Sequence, residues 1–150
     1  MTVTLNQIVP DFTGKTKDDT IQLSTLRGKN VVIYFYPKDS TPGCTIESKS
    51  FRDHYQEFQA KNTEIIGVSR DSIQSHCKFI DNHALNFPLI SDDDEVICKL
   101  FGVLKEKSMF GKKYQGIERS TFLIDKNGVL RCEWRDVSVI GHVKKVLETL

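Results

Sequence analysis

The stretch Asn30-Val-Val-Ile-Tyr-Phe-Tyr36 runs directly into Pro37-Lys-Asp-Ser-Thr41-Pro-Gly-Cys44. The first half is a continuous series of β-branched and aromatic residues that ends at a proline. It predicts a central strand buried on both faces of a sheet. The second half predicts the start of a helix, because Thr41 suits the N-cap and Pro42 suits the first helical position. Cys44 then falls in the first helical turn.

The same two signals alternate farther along the chain. Residues 63–68 form a second β-branched run, and residues 87–90 form a shorter one that predicts a third strand. Two sets of residues recur at helical spacing around the second run: Cys44, Phe51, Tyr55 and Phe58 before it, and Ile73, Cys77, Ile80 and Ala84 after it. The acidic residues 92–95 predict the start of another helix that ends near Phe101, since carboxylates favour helix N-termini. The order is therefore β-α-β-α.

The C-terminal third of the chain predicts a hairpin and a final helix. Residues 120–124 and 129–134 flank Asn127-Gly128, which is a strong hairpin signal and makes the sheet mixed. Residues 141–150 carry an apolar stripe that predicts a helix packed on the sheet. We expect an α/β fold of three layers, with a mixed central sheet flanked by helices. Since no linker or repeat interrupts the sequence, we expect residues 1–150 to form a single domain.

Composition and charge exclude several classes of function. The 150 residues contain 21 Lys plus Arg against 20 Asp plus Glu, so the chain lacks the basic footprint of a nucleic-acid-binding protein. The longest apolar run, residues 31–36, is too short to cross a bilayer, and the N-terminus does not resemble a secretory signal. The four cysteines form no C-x-x-C pair, which favours reduced thiols in the cytoplasm over a disulfide framework.

Cys44 is the best candidate for a reactive group. At the start of a helix, its sulfur would lie near unpaired backbone amides and the positive end of the helix dipole, and both favour the thiolate. A thiol with a pKa of about 8.5 is about 3% ionised at pH 7, so complete ionisation raises its reactivity only about thirtyfold. A large rate enhancement therefore requires donors that stabilise the transition state, such as the Thr41 hydroxyl, the first-turn amides and a distant arginine.

The pattern P-x-x-x-T-x-x-C, formed by Pro37, Thr41 and Cys44, resembles the peroxidatic motif of peroxiredoxins. The similarity extends over nearly the whole chain. The segments YFYPKDSTPGCTIE, GVSRDS, FPLISD and GIERSTFLID resemble the bacterioferritin-comigratory, or Q-type, subgroup. This resemblance implies a thioredoxin-like fold and thiol-dependent reduction of hydrogen peroxide and organic hydroperoxides, without a metal or an organic cofactor. It further implies thioredoxin as the reductant and a monomer or a weak dimer.

The resemblance also implies roles for individual residues. Cys44 would be the peroxidatic cysteine, which becomes a sulfenic acid when its thiolate attacks a peroxide oxygen. Thr41 would hydrogen-bond the peroxide, and Pro37 would shield the sulfenic acid from water. Arg119 matches the distant arginine of the family, whose cation would stabilise the thiolate and polarise the O–O bond. Glu47, one helical turn after Cys44, would orient that arginine.

The resolving cysteine is less clear in the sequence. Many members of the subgroup carry it five positions after the peroxidatic cysteine, where this chain has Lys49. Others carry it in a later helix, at the position of Ile80 in this chain. Cys77 lies in that helix, about one turn earlier, and our hypothesis is that it attacks the Cys44 sulfenic acid after both helices unwind. Packing on the apolar stripe is the alternative role for Cys77. Cys98 could resolve Cys44 instead, or an external thiol could reduce it directly.

Other functions are less well supported. A disulfide oxidoreductase normally uses C-x-x-C, but the third residue after Cys44 is Glu47. A redox sensor or stress-induced holdase would use the same cysteine without turnover. His76 and Cys77 are adjacent on the predicted helix and point about 100° apart, which argues against a metal site formed by this pair. We predict that Cys132 belongs to the core and shares a strand face with Leu130, and that residues 112–114 form a solvated loop.

Overall fold

The computed structural model of the protein describes residues 2–150, which form a seven-stranded sheet with helices on both faces and a separate two-stranded sheet. The strands are β1 (Thr13–Lys15), β2 (Thr20–Gln22), β3 (Asn30–Phe35), β4 (Thr63–Ser69), β5 (Leu89–Ser91), β6 (Leu104–Met109), β7 (Lys112–Ile117), β8 (Ser120–Ile124) and β9 (Leu130–Trp134). The α-helices are α1 (Pro42–Asp53), α2 (Tyr55–Ala60), α3 (Ile73–His83), α4 (Val96–Phe101) and α5 (His142–Thr149). Within residues 2–150, no helix combines the length and the apolar character needed to cross a membrane.

The large sheet is mixed, as the sequence predicts. Its strand order is β2-β1-β5-β4-β3-β8-β9, in which β3, β4 and β5 are parallel and β8 is antiparallel to β3. The predicted hairpin joins β8 to β9, and Gly128 in its turn has a φ of 83°, a backbone conformation that glycine adopts without strain. The short strands β1 and β2 were not predicted from the sequence.

Two apolar cores lie on opposite faces of this sheet, because side chains alternate along each strand. Val31, Ile33 and Phe35 of β3 point into the core that contains α4. Val32 and Tyr34 point into the other core, to which α1, α2, α3 and α5 contribute. The predicted arrangement of helices, sheet and helices is therefore confirmed. Each large side chain that is fully buried in these cores stabilises the fold by about 1.5–3 kcal/mol.

Helix α4 begins later than the acidic run predicts. Glu95 has a φ of 65° and stands at the N-cap position, so the helix starts at Val96. The carboxylate of Asp92 nevertheless accepts hydrogen bonds from the amides of Ile97 and Cys98, at 3.0 and 2.7 Å. One buried acid thus satisfies the first turn, as the charge pattern indicates.

In strand β9, Leu130 and Cys132 do not share a face as predicted. A register shift at Leu123 and Ile124 of β8 places Leu130 opposite Ile124 and Cys132 opposite Leu123. Leu130 therefore belongs to the core on the α4 side, whereas Cys132 packs at the edge of the core that contains Cys44. The prediction that Leu130 and Cys132 share a face was wrong, because a β-bulge changes the alternation of side chains.

The predicted loop at residues 112–114 is also wrong. These residues belong to β7, which pairs with β6 in an exposed antiparallel hairpin. Phe110, at its turn, is 98% exposed. The strand was missed because neither of its faces is buried along most of its length, so its sequence lacks the apolar alternation on which the prediction depends.

Gly67 provides a test of packing at the centre of the sheet. A Cβ atom at this position would lie 2.6 Å from Leu89 Cδ2 and 2.9 Å from Tyr34 Cζ, and both side chains are buried. We therefore expect Gly67→Ala to lower the free energy of unfolding by about 1–3 kcal/mol, measured by urea denaturation. The exposed Lys49→Ala on α1 should change it by less than about 0.5 kcal/mol. Equal midpoints for Gly67→Ala and the unmodified chain would contradict this account.

Candidate active site

The antiparallel register of β3 and β8 explains how residues far apart in sequence meet. Phe35, the last residue of β3, is paired with Ser120, the first residue of β8. Arg119 therefore lies beside the carboxyl end of β3, where the chain continues towards α1. Helix α1 begins at Pro42, so Cys44 comes to the same edge of the sheet.

The start of α1 largely follows the sequence prediction. Thr41 has the extended backbone of an N-cap residue (φ −83°, ψ 153°) and Pro42 begins the helix. The carbonyl of Thr41 accepts the first helical hydrogen bond, from Thr45, at 2.9 Å. Pro42 has no N–H, so the amides of Gly43 and Cys44 are the donors that the first turn leaves without an intrahelical acceptor. These amides lie at the positive end of the helix dipole, in the same turn as Cys44.

The Thr41 hydroxyl does not cap the helix, as a standard N-cap would. Instead it donates a hydrogen bond of 2.7 Å to the Lys38 carbonyl. A hydroxyl has one proton, so this contact leaves the Thr41 oxygen lone pairs as acceptors for another molecule's O–H group. Pro37 is half-buried and follows β3 at the base of the same loop.

Arg119 contacts both other charged or ionisable residues of the site. Its Nη2 donates to Cys44 Sγ at 3.3 Å, and its Nη1 donates to Glu47 Oε1 at 2.7 Å. The Cβ that Gly43 lacks would lie 3.2 Å from Nη2, so this glycine leaves room for the guanidinium. The structure thus brings Cys44, Arg119 and Glu47 together in one chain of contacts, around a sulfur that is itself fully buried.

Glu47 is the most unusual carboxyl group of the site. It is fully buried, and its Oε2 has no hydrogen-bond partner. Burial raises the pKa of Glu47 to about 7, and the neighbouring Arg119 guanidinium prevents a larger rise. Burial works against the charge of Arg119 too, but Glu47 and Cys44 outweigh it and raise the pKa of Arg119. Arg119 therefore stays a cation, and it interacts with both Glu47 and Cys44.

Helix α3 differs from the predicted apolar stripe. Its buried side chains are His76 and Phe79, whereas Ile73, Cys77 and Ile80 are half-buried and Ala84 is exposed. The polar His76 occupies the buried face because it is ion-paired there, which a hydrophobic pattern cannot reveal. Cys77 thus lies at the edge of the buried face of α3, and α3 packs on the same side of the sheet as α1.

The remaining cysteines occupy different environments. Cys98 is buried in the core on the far side of the sheet from Cys44. Burial and then Asp92 raise the pKa of its thiol strongly. Cys132 is half-buried at the edge of the core that contains Cys44. In the described chain all four cysteines are free thiols.

Sequence reasoning missed two polar groups near this edge of the sheet. Asp39, Asp71 and His76 have side-chain atoms within 4.8 Å of one another. His142 is buried, and its Nε2 lies 2.8 Å from the Thr121 hydroxyl. Burial, followed by Lys145 and Arg119, lowers the pKa of His142 to about 4. Each group comes from segments that are distant in sequence, so no local spacing marks it.

The chain matches known proteins over almost its whole length. Residues 5–132 match the model of the AhpC/TSA family. A protein of Bacillus subtilis (strain 168) named Peroxiredoxin Bcp is 50% identical, over 100% of this chain and 96% of its own length. The Peroxiredoxin Bcp of Escherichia coli (strain K12) is 38% identical, over 95% of this chain and 92% of its own length.

Solved structures show the same fold. The bacterioferritin comigratory protein of Xanthomonas campestris, studied for its alkyl peroxide reduction activity, superposes with a TM-score of 0.88 at 45% identity. That match covers 92% of this chain and 88% of the other. Peroxidoxin BcpB from Mycobacterium tuberculosis gives a TM-score of 0.86 at 31% identity, over 98% and 96% of the two chains. The thioredoxin-like fold expected from the sequence is confirmed.

The buried carboxyl group of Glu47 makes a testable contribution to stability. In the folded chain it keeps its proton up to about pH 7, whereas in the unfolded chain it releases the proton near 4.5. The folded state therefore binds more protons between these values, so Glu47 stabilises the fold at low pH and loses that effect as pH rises towards 7. A glutamine side chain does not titrate. As pH rises across this window, the free energy of unfolding of Glu47→Gln, minus that of the unmodified chain, should therefore increase by on the order of 3 kcal/mol.

Urea denaturation at several pH values measures this difference, with the exposed Glu57→Gln on α2 as the control. The control curve should run parallel to that of the unmodified chain. A Glu47→Gln curve that is also parallel would show that Glu47 has the same pKa in the folded and unfolded chain, and would contradict this account.

Proposed function

Because this chain belongs to the AhpC/TSA family, within its Bcp or Q-type peroxiredoxins, we propose that it reduces hydrogen peroxide and organic hydroperoxides with Cys44 as the nucleophile. The observation that carries the assignment to Cys44 is the contact of Arg119 Nη2 with its sulfur at 3.3 Å, at the first turn of α1. Cys77 and Cys98 lack such a contact among the described hydrogen bonds. The family resemblance drawn from the sequence is confirmed.

In the first step the Cys44 thiolate attacks the terminal peroxide oxygen. The S–O bond forms while the O–O bond breaks, and the leaving alkoxide or hydroxide takes a proton to become an alcohol or water. Cys44 is left as a sulfenic acid. The Thr41 oxygen, whose own proton is engaged with Lys38, accepts a hydrogen bond from the peroxide O–H and aligns it with the sulfur.

Arg119 acts on both sides of this step. Its guanidinium stabilises the thiolate before attack and the negative charge that develops on the peroxide oxygens during it. Since ionisation alone gives only about thirtyfold, the second effect must carry the larger share of the rate enhancement. Removal of one such donor typically costs about 10²–10³ in rate. Glu47 holds the guanidinium through its Nη1, so that Nη2 remains directed at the sulfur. Pro37 shields the sulfenic acid from water.

In the second step, Cys77 attacks the sulfenic sulfur, so that a disulfide forms and water leaves. Support comes from its half-buried position on α3, which packs on the same face of the sheet as α1. Cys98 is a poorer candidate because the sheet separates it from Cys44. A dithiol reductant of the thioredoxin class then reduces the disulfide and regenerates both thiols.

The nucleophile is tested by substitution. We expect Cys44→Ser to lower turnover in a thioredoxin-coupled peroxide assay by more than about a thousandfold, because a serine hydroxyl is not ionised and forms no sulfenic acid. Cys132→Ser, at the edge of the same core, is the matched control and should keep most of the activity. Full activity in Cys44→Ser would overturn the assignment. A single stoichiometric oxidation of the unmodified chain, without turnover, would favour a redox sensor.

The resolving cysteine is tested by peptide mapping. After one equivalent of peroxide, we expect a peptide pair joined by a Cys44–Cys77 disulfide and free thiols at Cys98 and Cys132. In Cys77→Ser the sulfenic acid at Cys44 should persist, as detected by trapping with a dimedone reagent and mass spectrometry. A persistent sulfenic acid beside free Cys77 in the unmodified chain would show that an external thiol resolves Cys44.

A further inference from the structure

A buried polar cluster joins the loop before Cys44 to helix α3. Its centre is the carboxylate of Asp39, which accepts three side-chain hydrogen bonds: from Tyr36 Oη at 2.6 Å, from Ser75 Oγ at 2.9 Å and from His76 Nδ1 at 2.6 Å. Asp39 and His76 are 5% and 1% exposed. The site described above uses none of these contacts.

The ring of His76 lies between two acceptors. Its Nδ1 faces the Asp39 carboxylate, and its Nε2 faces the carbonyl oxygen of Ile90 at 3.0 Å. A neutral imidazole has one N–H and can donate to only one of these oxygens, whereas the imidazolium donates to both. Asp39 and His76 therefore form a buried ion pair that is anchored on the central strand β5.

The pair fixes the shape of the loop that carries Thr41. The main-chain amide of Asp39 donates to Asp71 Oδ2 at 2.8 Å, and that oxygen also accepts a bond from Ser69 Oγ at 2.6 Å. Asp39 is thus held through both its side chain and its main chain, two residues before Thr41. Ser40, between them, has a φ of 64°, a conformation that a serine keeps only when its neighbours are fixed.

The same pair holds the N-terminal half of α3. His76 immediately precedes Cys77, and its amide donates to the Ser72 carbonyl at 3.0 Å in the first turn. In the proposed second step, Cys77 reaches Cys44 after these turns unwind. Unwinding here withdraws His76 from both Asp39 and Ile90, so the ion pair opposes it.

We propose that Asp39 and His76 are positioning residues that favour the first step of the reaction and oppose the second. The ion pair holds Thr41 in place to align the peroxide, and it keeps Cys77 in α3 until the pair opens. This inference rests on the proposed function of Cys44 and Cys77. According to this proposal, the Asp39–His76 contact sets the relative rates of peroxide attack and disulfide formation. It thereby sets the lifetime of the sulfenic acid.

The test separates the two steps in rapid quench experiments with mass spectrometry. In a Cys77→Ser background, we expect Asp39→Asn and His76→Gln to lower the second-order rate constant of Cys44 oxidation by hydrogen peroxide by about tenfold, because Thr41 is displaced. With Cys77 present, the same substitutions should raise the first-order rate of disulfide formation by at least about fivefold, because α3 opens more often. His83→Gln, at the other end of α3, is the control and should change neither rate by more than about twofold.

Opposite changes in the two rates support the proposal, since a merely structural role would not move them in opposite directions. Rates that move in the same direction, or that both stay unchanged, overturn it. If the unmodified chain forms no Cys44–Cys77 disulfide, the assignment of Cys77 fails and with it the second half of the proposal. The first half, in which the ion pair holds Thr41 for peroxide attack, is then still tested by the rate of Cys44 oxidation in the Cys77→Ser background.

A second measurement uses the unmodified chain and does not depend on whether the variants fold. Since one ion pair holds both segments, the amides of Asp39 and His76 should exchange with deuterium through a common opening, at protection factors within about threefold of each other. Protection factors that differ by more than about tenfold would show that the loop and α3 open independently and would overturn the proposal.

Discussion

The contact between Arg119 and Cys44 depends on the antiparallel pairing of β3 with β8. The two residues are 75 positions apart, and only the register that pairs Phe35 with Ser120 brings the guanidinium to the first turn of α1. A slip of one residue would turn the side chains of β8 to the opposite faces and move Arg119 away from the sulfur. The apolar side chains that alternate into the two cores fix this register. Core packing and the geometry of the site are therefore consequences of the same strand pairing.

Ionisable side chains are buried around this edge of the sheet in two separate pairs. Glu47 and Arg119 form one pair beside Cys44, and Asp39 and His76 form another beneath the preceding loop. Buried ion pairs rarely stabilise a fold relative to apolar residues, because desolvation offsets much of their attraction. In this protein, the two pairs instead hold neighbouring groups in defined positions. Each pair fixes a group that the proposed mechanism directs at the peroxide, namely the guanidinium in one case and Thr41 in the other.

The features that depend on local sequence were predictable, and those that depend on distant segments were not. The strand up to Tyr36 and the start of α1 follow from residue types within a few positions. Arg119 was identified by its resemblance to a family motif, since no local pattern distinguishes it from a surface arginine. His76 was missed because its partners are Asp39 and the Ile90 carbonyl, both far away in sequence. The face of Leu130 was assigned wrongly because a bulge interrupts β9, and nothing within the strand's own residues signals it.

The sheet also divides the apolar interior into two cores that hold different cysteines. Helices α1 and α3, which carry Cys44 and Cys77, pack on one face, whereas α4 and Cys98 pack on the other. In the proposed mechanism, partial unfolding of α1 and α3 would leave the sheet and the core on the α4 side in place, so these helices would refold onto an existing scaffold. A peroxide that enters the half with α1 and α3 meets Cys44, Cys77 and Cys132, whereas Cys98 lies on the other side of the sheet. Repeated opening and closing is compatible with cysteines that, within residues 2–150, form no structural disulfide.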